Sequence, residues 1–461
     1  MPETIQAYLE AVQAQIRWKR ARPVLIQELE RHLEDQRDDL LKEGKPAEEA
    51  ERLAVEDMGD PVTVGTELDA VHRPRPQWGL LGLTFALALT GTVLRAFFFR
   101  ADPHTLSIYV LARTFASLGL GAAAMLGLYL LDVSRLARHG RALYIAVLLL
   151  GGGMFLLSVS QPPFRSPGSY RLLFYLSQTF PVVYALWIYT RRGGRWRGFS
   201  LSIAGGVPLA IVCAIYPSMT NLILLSLSVL VLMLLAAGQD WFGVGRRKGL
   251  CVVLGAASGL LAYLFSRGYH TAFLERIQIA LHPELDPLGR GFCSWMFYMF
   301  WEDVRPFQDH LGTAGIGGIA VVRGPNGREW GAMDFGCNFL PAELARSWGW
   351  VPLLLLLAAL TALLLWLLVK GLRQTYLLGR FVVLAVVISL AVQTLFSVML
   401  NFGLVLSFAS LPLMVGDLQT VVDMALIGLA LSVFRGGSIA REEPARPLRQ
   451  RKRLRIKVEY Q

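Results

Sequence analysis

Ten separate apolar runs, each long enough to cross about 30 Å of hydrocarbon as a helix, constrain this chain more than any other feature of its sequence. They fall near residues 78–98, 108–131, 142–160, 171–189, 200–216, 219–237, 249–267, 348–369, 380–400 and 418–434. With 54% hydrophobic and only 17% charged residues, the chain is too apolar for one soluble core and an ordinary surface. Lipid has to be the solvent for most of it. The expected class is an all-α polytopic membrane protein with about ten transmembrane helices.

The charge pattern supports the same count. DVSRLARHGR, TRRGGRWRG, GVGRRKG, VKGLRQTYLLGR and the tail RQRKRLRIK are basic, whereas ADPHT, SQPPFRSPGS, YPSMT and NFGLVLSFAS carry almost no positive charge. With ten spans, every basic segment and both termini fall on one side, which the positive-inside rule makes the cytoplasmic side. The net charge of +11 thus sits mainly on loops and tail. That distribution points to anionic lipid as a partner and argues against nucleic acid.

Residues 1–75 differ from the rest, being highly charged and helical in period. Leu25, Leu29 and Leu40 recur at helical offsets before a stop at Gly44, and a second helix runs through KPAEEAERLAVEDMGDP to Gly59. The expectation is a small cytosolic helical bundle. The first apolar run begins only near Trp78, too far in for a cleaved leader, so it should act as an internal signal-anchor.

One long connection, about 268–346, separates the seventh and eighth runs on the expected outer side. It combines acidic residues with Trp295, Phe297, Tyr298, Phe300, Trp301 and Trp330, a composition that suits a folded or interface-lying cap better than disorder. Cys293 and Cys337 both lie in it, which leaves a disulfide open beside the plainer reading of small loop residues. No cysteine or histidine group has metal-ligand spacing. No cofactor is identified, and a divalent cation is not readable from the sequence.

Several stretches, in order, resemble the SEDS family of bacterial cell-wall membrane proteins, the group of FtsW, RodA and SpoVE. LGLGAAAMLGLYLLDVSRLARHGRALY resembles the family's Gly-rich second span and basic turn. YPSMTNLILLSLSVLVLMLLAAG is similar to its Q-P-D-x-G-T break and the span after it. ERIQIALHPELDPLGRGF resembles the D-P-x-x-D-P-x-G-x-G-Y segment at the start of the long loop, and NFGLVLSFASLPLMVGDLQTVVDMALIGLALS resembles the closing segment and last span. The match covers about 78–435. The first 75 residues more weakly resemble helical prefix domains of other membrane proteins, and 436–461 form a basic cytoplasmic tail.

The resemblance implies a multi-pass protein of the bacterial cell membrane acting in peptidoglycan synthesis during growth, division or sporulation. It implies polymerisation of lipid II, with undecaprenyl pyrophosphate as leaving group, and a class B penicillin-binding protein or another divisome or elongasome component as partner. A non-catalytic scaffold and a transporter of lipid-linked precursor are the other two readings.

The family's catalytic carboxylate lies where the long loop re-enters the membrane. Asp334 supplies a carboxylate there, in a literal Asp-Phe pair, and comes within a helical turn of the family position if the helix already extends that far. The ungapped register fixed by Glu343 and Gly349 places Asn338 at the position instead, and Asn cannot accept the proton. Both registers remain open. Arg276, Asp286 and Glu343 are candidate substrate-binding residues. Their plain readings are an interfacial anchor, a turn former before Pro287, and a salt bridge to Arg346. Ser218, Phe180, Val182 and the sequence Gly-Asp-Leu-Gln depart from polar family positions.

Overall fold

The computed structural model describes residues 4–19, 21–72, 76–100, 108–131, 133–159, 167–215, 219–287, 289–302, 304–307, 319–323, 329–334, 339–374, 376–407 and 409–436. Residues 1–77 and 78–434 cluster as separate compact units.

The first unit holds four helices: α1 (Ile5–Gln15), α2 (Arg22–Lys42), α3 (Ala47–Asp57) and α4 (Pro61–His72). Tyr8, Val12, Ile16, Leu33, Ala54 and Val55 close a small apolar core. Gly44 and Gly59 adopt φ of +88° and +81°, the left-handed conformation that ends a helix without Cβ strain. Asp60 then caps α4, accepting from Thr63 N at 2.9 Å and Thr63 Oγ1 at 2.8 Å. Those two bonds hold its carboxyl below the usual range.

Among the described residues of the second unit, eight helices are long and apolar enough to cross a membrane, and two shorter apolar helices, Gly140–Met154 and Phe180–Thr190, occupy the third and fourth places. In order the spans are Trp78–Arg100, Ile108–Leu130, Gly140–Val159, Pro167–Ser177 with Phe180–Thr190, Arg195–Ala204 with Gly206–Ile215, Met219–Gly238, Arg246–Ser266, Trp350–Leu372, Leu377–Asn401 and Leu418–Gly436. They match the ten runs of the sequence. The fourth is broken before Pro181, a residue suited to a helix start. The fifth begins several residues earlier than its apolar run and breaks at Gly205, whose carbonyl accepts from Tyr144 Oη at 2.6 Å.

Small residues let the spans approach. A Cβ at Gly91 of span 1 would lie 2.6 Å from Met414 Cα, and one at Gly428 of span 10 would sit against the Met125 carbonyl of span 2. In lipid such close packing supplies association that the hydrophobic effect cannot.

The long connection has its own order, with helices Tyr269–Leu281, Phe292–Glu302 and Leu340–Trp348. It also holds an antiparallel hairpin, Ile319–Arg323 with Glu329–Asp334, in which Ile319 faces Asp334. This hairpin is an addition to the otherwise helical fold. Cys337 lies outside the described residues.

Candidate functional site

Span 9 organises the interior. Ser389, Gln393, Ser397 and Asn401 follow one another every four residues, which places them on one helix face, and all are at most 1% exposed. Next comes a segment that is not helical yet is buried without interruption from Ala409 to Asp417. Irregular backbone at such a place must find its partners inside the protein. The Asp423 carboxylate of span 10 accepts from Leu413 N at 3.0 Å, and Thr420 Oγ1 accepts from Gly416 N at 2.9 Å. Leu413 and Gly416 adopt φ of +66° and +62°. For Leu413 that conformation is costly and has to be held by its surroundings.

The segment delivers Asp417 into a polar cluster at the end of the bundle that carries the long loop. Asp417 Oδ2 accepts from Tyr175 Oη at 2.6 Å and faces Arg113 Nη2 of span 2 at 3.5 Å, while Oδ1 accepts from Gln419 N at 2.9 Å. The Asp417 side chain is 4% exposed and that of Arg113 56%, so one face of this pair is open. Arg95 and Thr114, both buried, border Gly416, where a Cβ would lie 3.1 Å from Arg95 Cδ and 2.6 Å from Thr114 Cγ2.

A second group lies where the loop returns. Asn401 Oδ1 accepts from Ala342 N at 3.1 Å, tying helix Leu340–Trp348 to the end of span 9. The Asn401 carbonyl accepts from Trp301 Nε1 at 2.8 Å, and Phe297, Phe339, Ala342 and Leu400 pack beneath. Glu343 is half-buried on the same helix. Burial pushes its carboxyl up to about 7, against the opposing pull of Arg346. A carboxyl poised there can hold or release a proton near neutrality.

The remaining sequence candidates fall as follows. Asp334 is the last residue of a strand, and the next described helix is Leu340–Trp348. The idea that Asp334 sits one helical turn from position 338 is therefore corrected. Extended backbone at Asp334 advances about 3.3 Å per residue, where a helix advances about 1.5 Å. Asn338 lies outside the described residues. Asp286 accepts from Arg290 N at 2.9 Å and its carbonyl from Gly291 N at 3.0 Å, closing a turn. Arg276 is exposed on helix Tyr269–Leu281. Of the three substrate-binding candidates, Glu343 alone follows directly on Ala342, the residue that Asn401 anchors. Asp286 serves its own turn instead.

Sequence reasoning places few charged residues deep in the spans and passes over Arg95, Arg113, Asp417 and Asp423. Asp423, an acid six residues into the last apolar run, is the available signal. Among the described residues, no group of three or more His, Cys, Asp and Glu is placed to hold a metal ion.

Neither a family model nor a curated protein matches this sequence. Solved structures do. A chain from a peptidoglycan synthase complex, studied for the coordination of polymerization and crosslinking, superposes at a TM-score of 0.56 with 20% identity, covering 79% of this chain and 98% of that one. A variant of the rod shape determining protein RodA of Thermus thermophilus superposes at 0.50 with 18% identity and the same coverage. The membrane unit has the RodA-type fold, that of the SEDS proteins.

Proposed function

We propose that this chain is a divergent SEDS protein of bacterial cell-wall synthesis and that it polymerises lipid II. The observation that carries the reading is a polar cluster, buried Asp417 and Tyr175 with exposed Arg113, at the long-loop end of a bundle with this fold. In the reaction, the 4-hydroxyl of one disaccharide attacks the anomeric carbon of another. The hydroxyl proton passes to a base, and undecaprenyl pyrophosphate departs. A guanidinium that already contacts one carboxylate and keeps an exposed face suits a departing diphosphate, so Arg113 takes that role, with Arg276 as an outer contact. Asp334 takes the base role by its place in the family pattern. Glu343, on the returning helix that Asn401 anchors, offers the substrate a carboxyl able to exchange a proton near pH 7.

The chain acts in the cell membrane with both termini cytoplasmic and 268–346 outside, beside a crosslinking subunit such as a class B penicillin-binding protein. The small N-terminal bundle is a cytosolic module of this protein.

A second reading, a non-catalytic scaffold, is favoured by one feature, Asn338 in the ungapped register. Purified protein given labelled lipid II separates the two. The polymerase reading expects glycan strands from the wild type and a loss of about 10² to 10⁴ in rate for Asp334→Asn, with Asp286→Asn retaining most of it. No polymer from the wild type, with some restored by Asn338→Asp, favours the scaffold. Robust polymerisation by Asp334→Asn would move the base to another carboxyl.

A further inference from the structure

The end of the bundle opposite the long loop carries guanidinium groups that the proposed reaction does not use. Gly140, where span 3 starts, passes so close to helix Phe180–Thr190 that a Cβ there would lie 3.0 Å from both the Leu186 carbonyl oxygen and Thr190 Cγ2. That approach brings two arginines to one helix end. Arg141 Nη2 faces the Thr190 carbonyl at 3.5 Å, and Arg191 is the next residue in the chain. The Arg191 guanidinium lies over the Trp187 ring, 4.1 Å from its centroid, and Tyr144 stacks with the same ring at 4.3 Å between centroids. Trp187 is itself fixed, because its Nε1 donates to the Leu201 carbonyl at 3.1 Å and Gly205 packs so tightly on it that any Cβ would clash.

The protein does not neutralise this pair. Among the described residues no ion pair reaches Arg141 or Arg191, and Arg191 Nε is buried without an acceptor. One carbonyl at 3.5 Å, even at the negative end of a helix, is a weak counterpart for two full charges. Burial, and then the neighbouring Arg141 charge, hold the Arg191 guanidinium below its usual range. Further positive charge is drawn in by the loop that opens span 7, since Gly193 N donates to the Trp241 carbonyl at 3.0 Å and Arg195 N to that of Phe242 at 2.9 Å. The described residues of 133–145, 187–200 and 239–250 include a single carboxylate, Asp240, and it already accepts from Gly245 N at 2.7 Å. Like charges held together without a counter-ion cost stability, and an anion removes that cost.

We propose that Arg141 and Arg191 bind the phosphate of an anionic phospholipid of the cytoplasmic leaflet, with Trp187 and Tyr144 as the aromatic wall of the site. Trp and Tyr are the side chains that membrane proteins place at headgroup level, and basic pockets between spans suit such headgroups. Guanidinium N–H groups meet phosphate oxygens in pairs. A zwitterionic headgroup also carries an ammonium, for which this surface offers no uncommitted carboxylate, so the lipid is one of net negative charge such as phosphatidylglycerol. The bound headgroup ties the start of span 3 to the end of span 4, which the diffuse attraction of basic loops to a membrane does not do.

The test uses the purified full chain in non-ionic detergent and follows its thermal unfolding midpoint as phosphatidylglycerol is added, with phosphatidylethanolamine and inorganic phosphate as parallel arms. Phosphatidylglycerol should raise the midpoint saturably by about 1–3 °C, and the other two much less. Arg141→Gln and Arg191→Gln should each raise the lipid concentration needed at least about tenfold. Arg247→Gln, at an exposed cation outside the pair, should change it less than about twofold. If Arg191→Gln fails to fold, Arg141→Gln, on an exposed side chain, carries the comparison, and native mass spectrometry of the wild type should show one retained phosphatidylglycerol. Equal losses in Arg141→Gln and Arg247→Gln overturn the proposal, since they mark diffuse charge and not a site. An equal response to phosphatidylethanolamine overturns it as well, and so does an equal response to inorganic phosphate, the mark of a free anion. No lipid II enters the assay, so its failure leaves the polymerase reading standing.

Discussion

Spans 7 and 9 are two apolar helices of similar length with opposite fates: the protein buries 11% of the apolar stretch in Arg246–Ser266 and 72% of that in Leu377–Asn401. Hydropathy treats them alike because lipid and protein interior are both apolar solvents for a helix. What separates them is the row of small polar residues on span 9. Ser389, Gln393, Ser397 and Asn401 need partners that lipid cannot give, so that face turns inward and neighbouring elements supply them. Span 7 has no such row, and Leu254, Leu260, Leu261 and Phe265 remain exposed on it.

The same contrast extends to glycine, and there the largest effect is expected. Gly428→Ala should cost about 1–3 kcal/mol, because its methyl would meet the Met125 backbone of span 2. Gly255 in span 7 has nothing within 4 Å of an added Cβ. A paired unfolding measurement in detergent checks both, and equal loss at the two positions would break the comparison.

Asn401→Ala should cost about 1–3 kcal/mol, since it leaves Ala342 N without its acceptor and Ser397 O without the donor at 2.8 Å. The loss should be accompanied by faster proteolysis around helix Leu340–Trp348. Loss of stability with unchanged cleavage there would show that Asn401 does not anchor the returning loop.

Glu343 gives a smaller, pH-dependent effect. Its carboxyl is raised from 4.5 to about 7, so between those values the folded chain holds a proton that the unfolded chain has released. Stability from this group falls as pH rises through that window and levels off above about 7. Glu343→Gln should leave the midpoint nearly unchanged at pH 5 and raise it at pH 8. A variant equally shifted at both pH values would remove the buried carboxyl from this account.

The smallest effect belongs to the lipid-facing control. Gly255→Ala should change stability by less than about 1 kcal/mol, in the stabilising direction if helix propensity alone acts. A clear loss would mean that span 7 packs against something the isolated chain does not contain.

The sequence by itself determined the class, the ten crossings and the helix stops at Gly44 and Gly59. Each rests on a local rule: apolar length against bilayer thickness, or a backbone conformation that only glycine takes cheaply. The row on span 9 and Asp423 on span 10 were also legible as polar positions in apolar runs, though periodicity could not say what they face. Tertiary structure alone decided that Ala409–Asp417, which lies between the ninth and tenth apolar runs, is buried. It alone brought Asp417 to Tyr175 and Arg113, 242 and 304 positions away in the chain. It also placed Asp334 on a strand instead of a helix. Contacts at such separations depend on how spans pack sideways, and the hydropathy of each span is nearly indifferent to its neighbours.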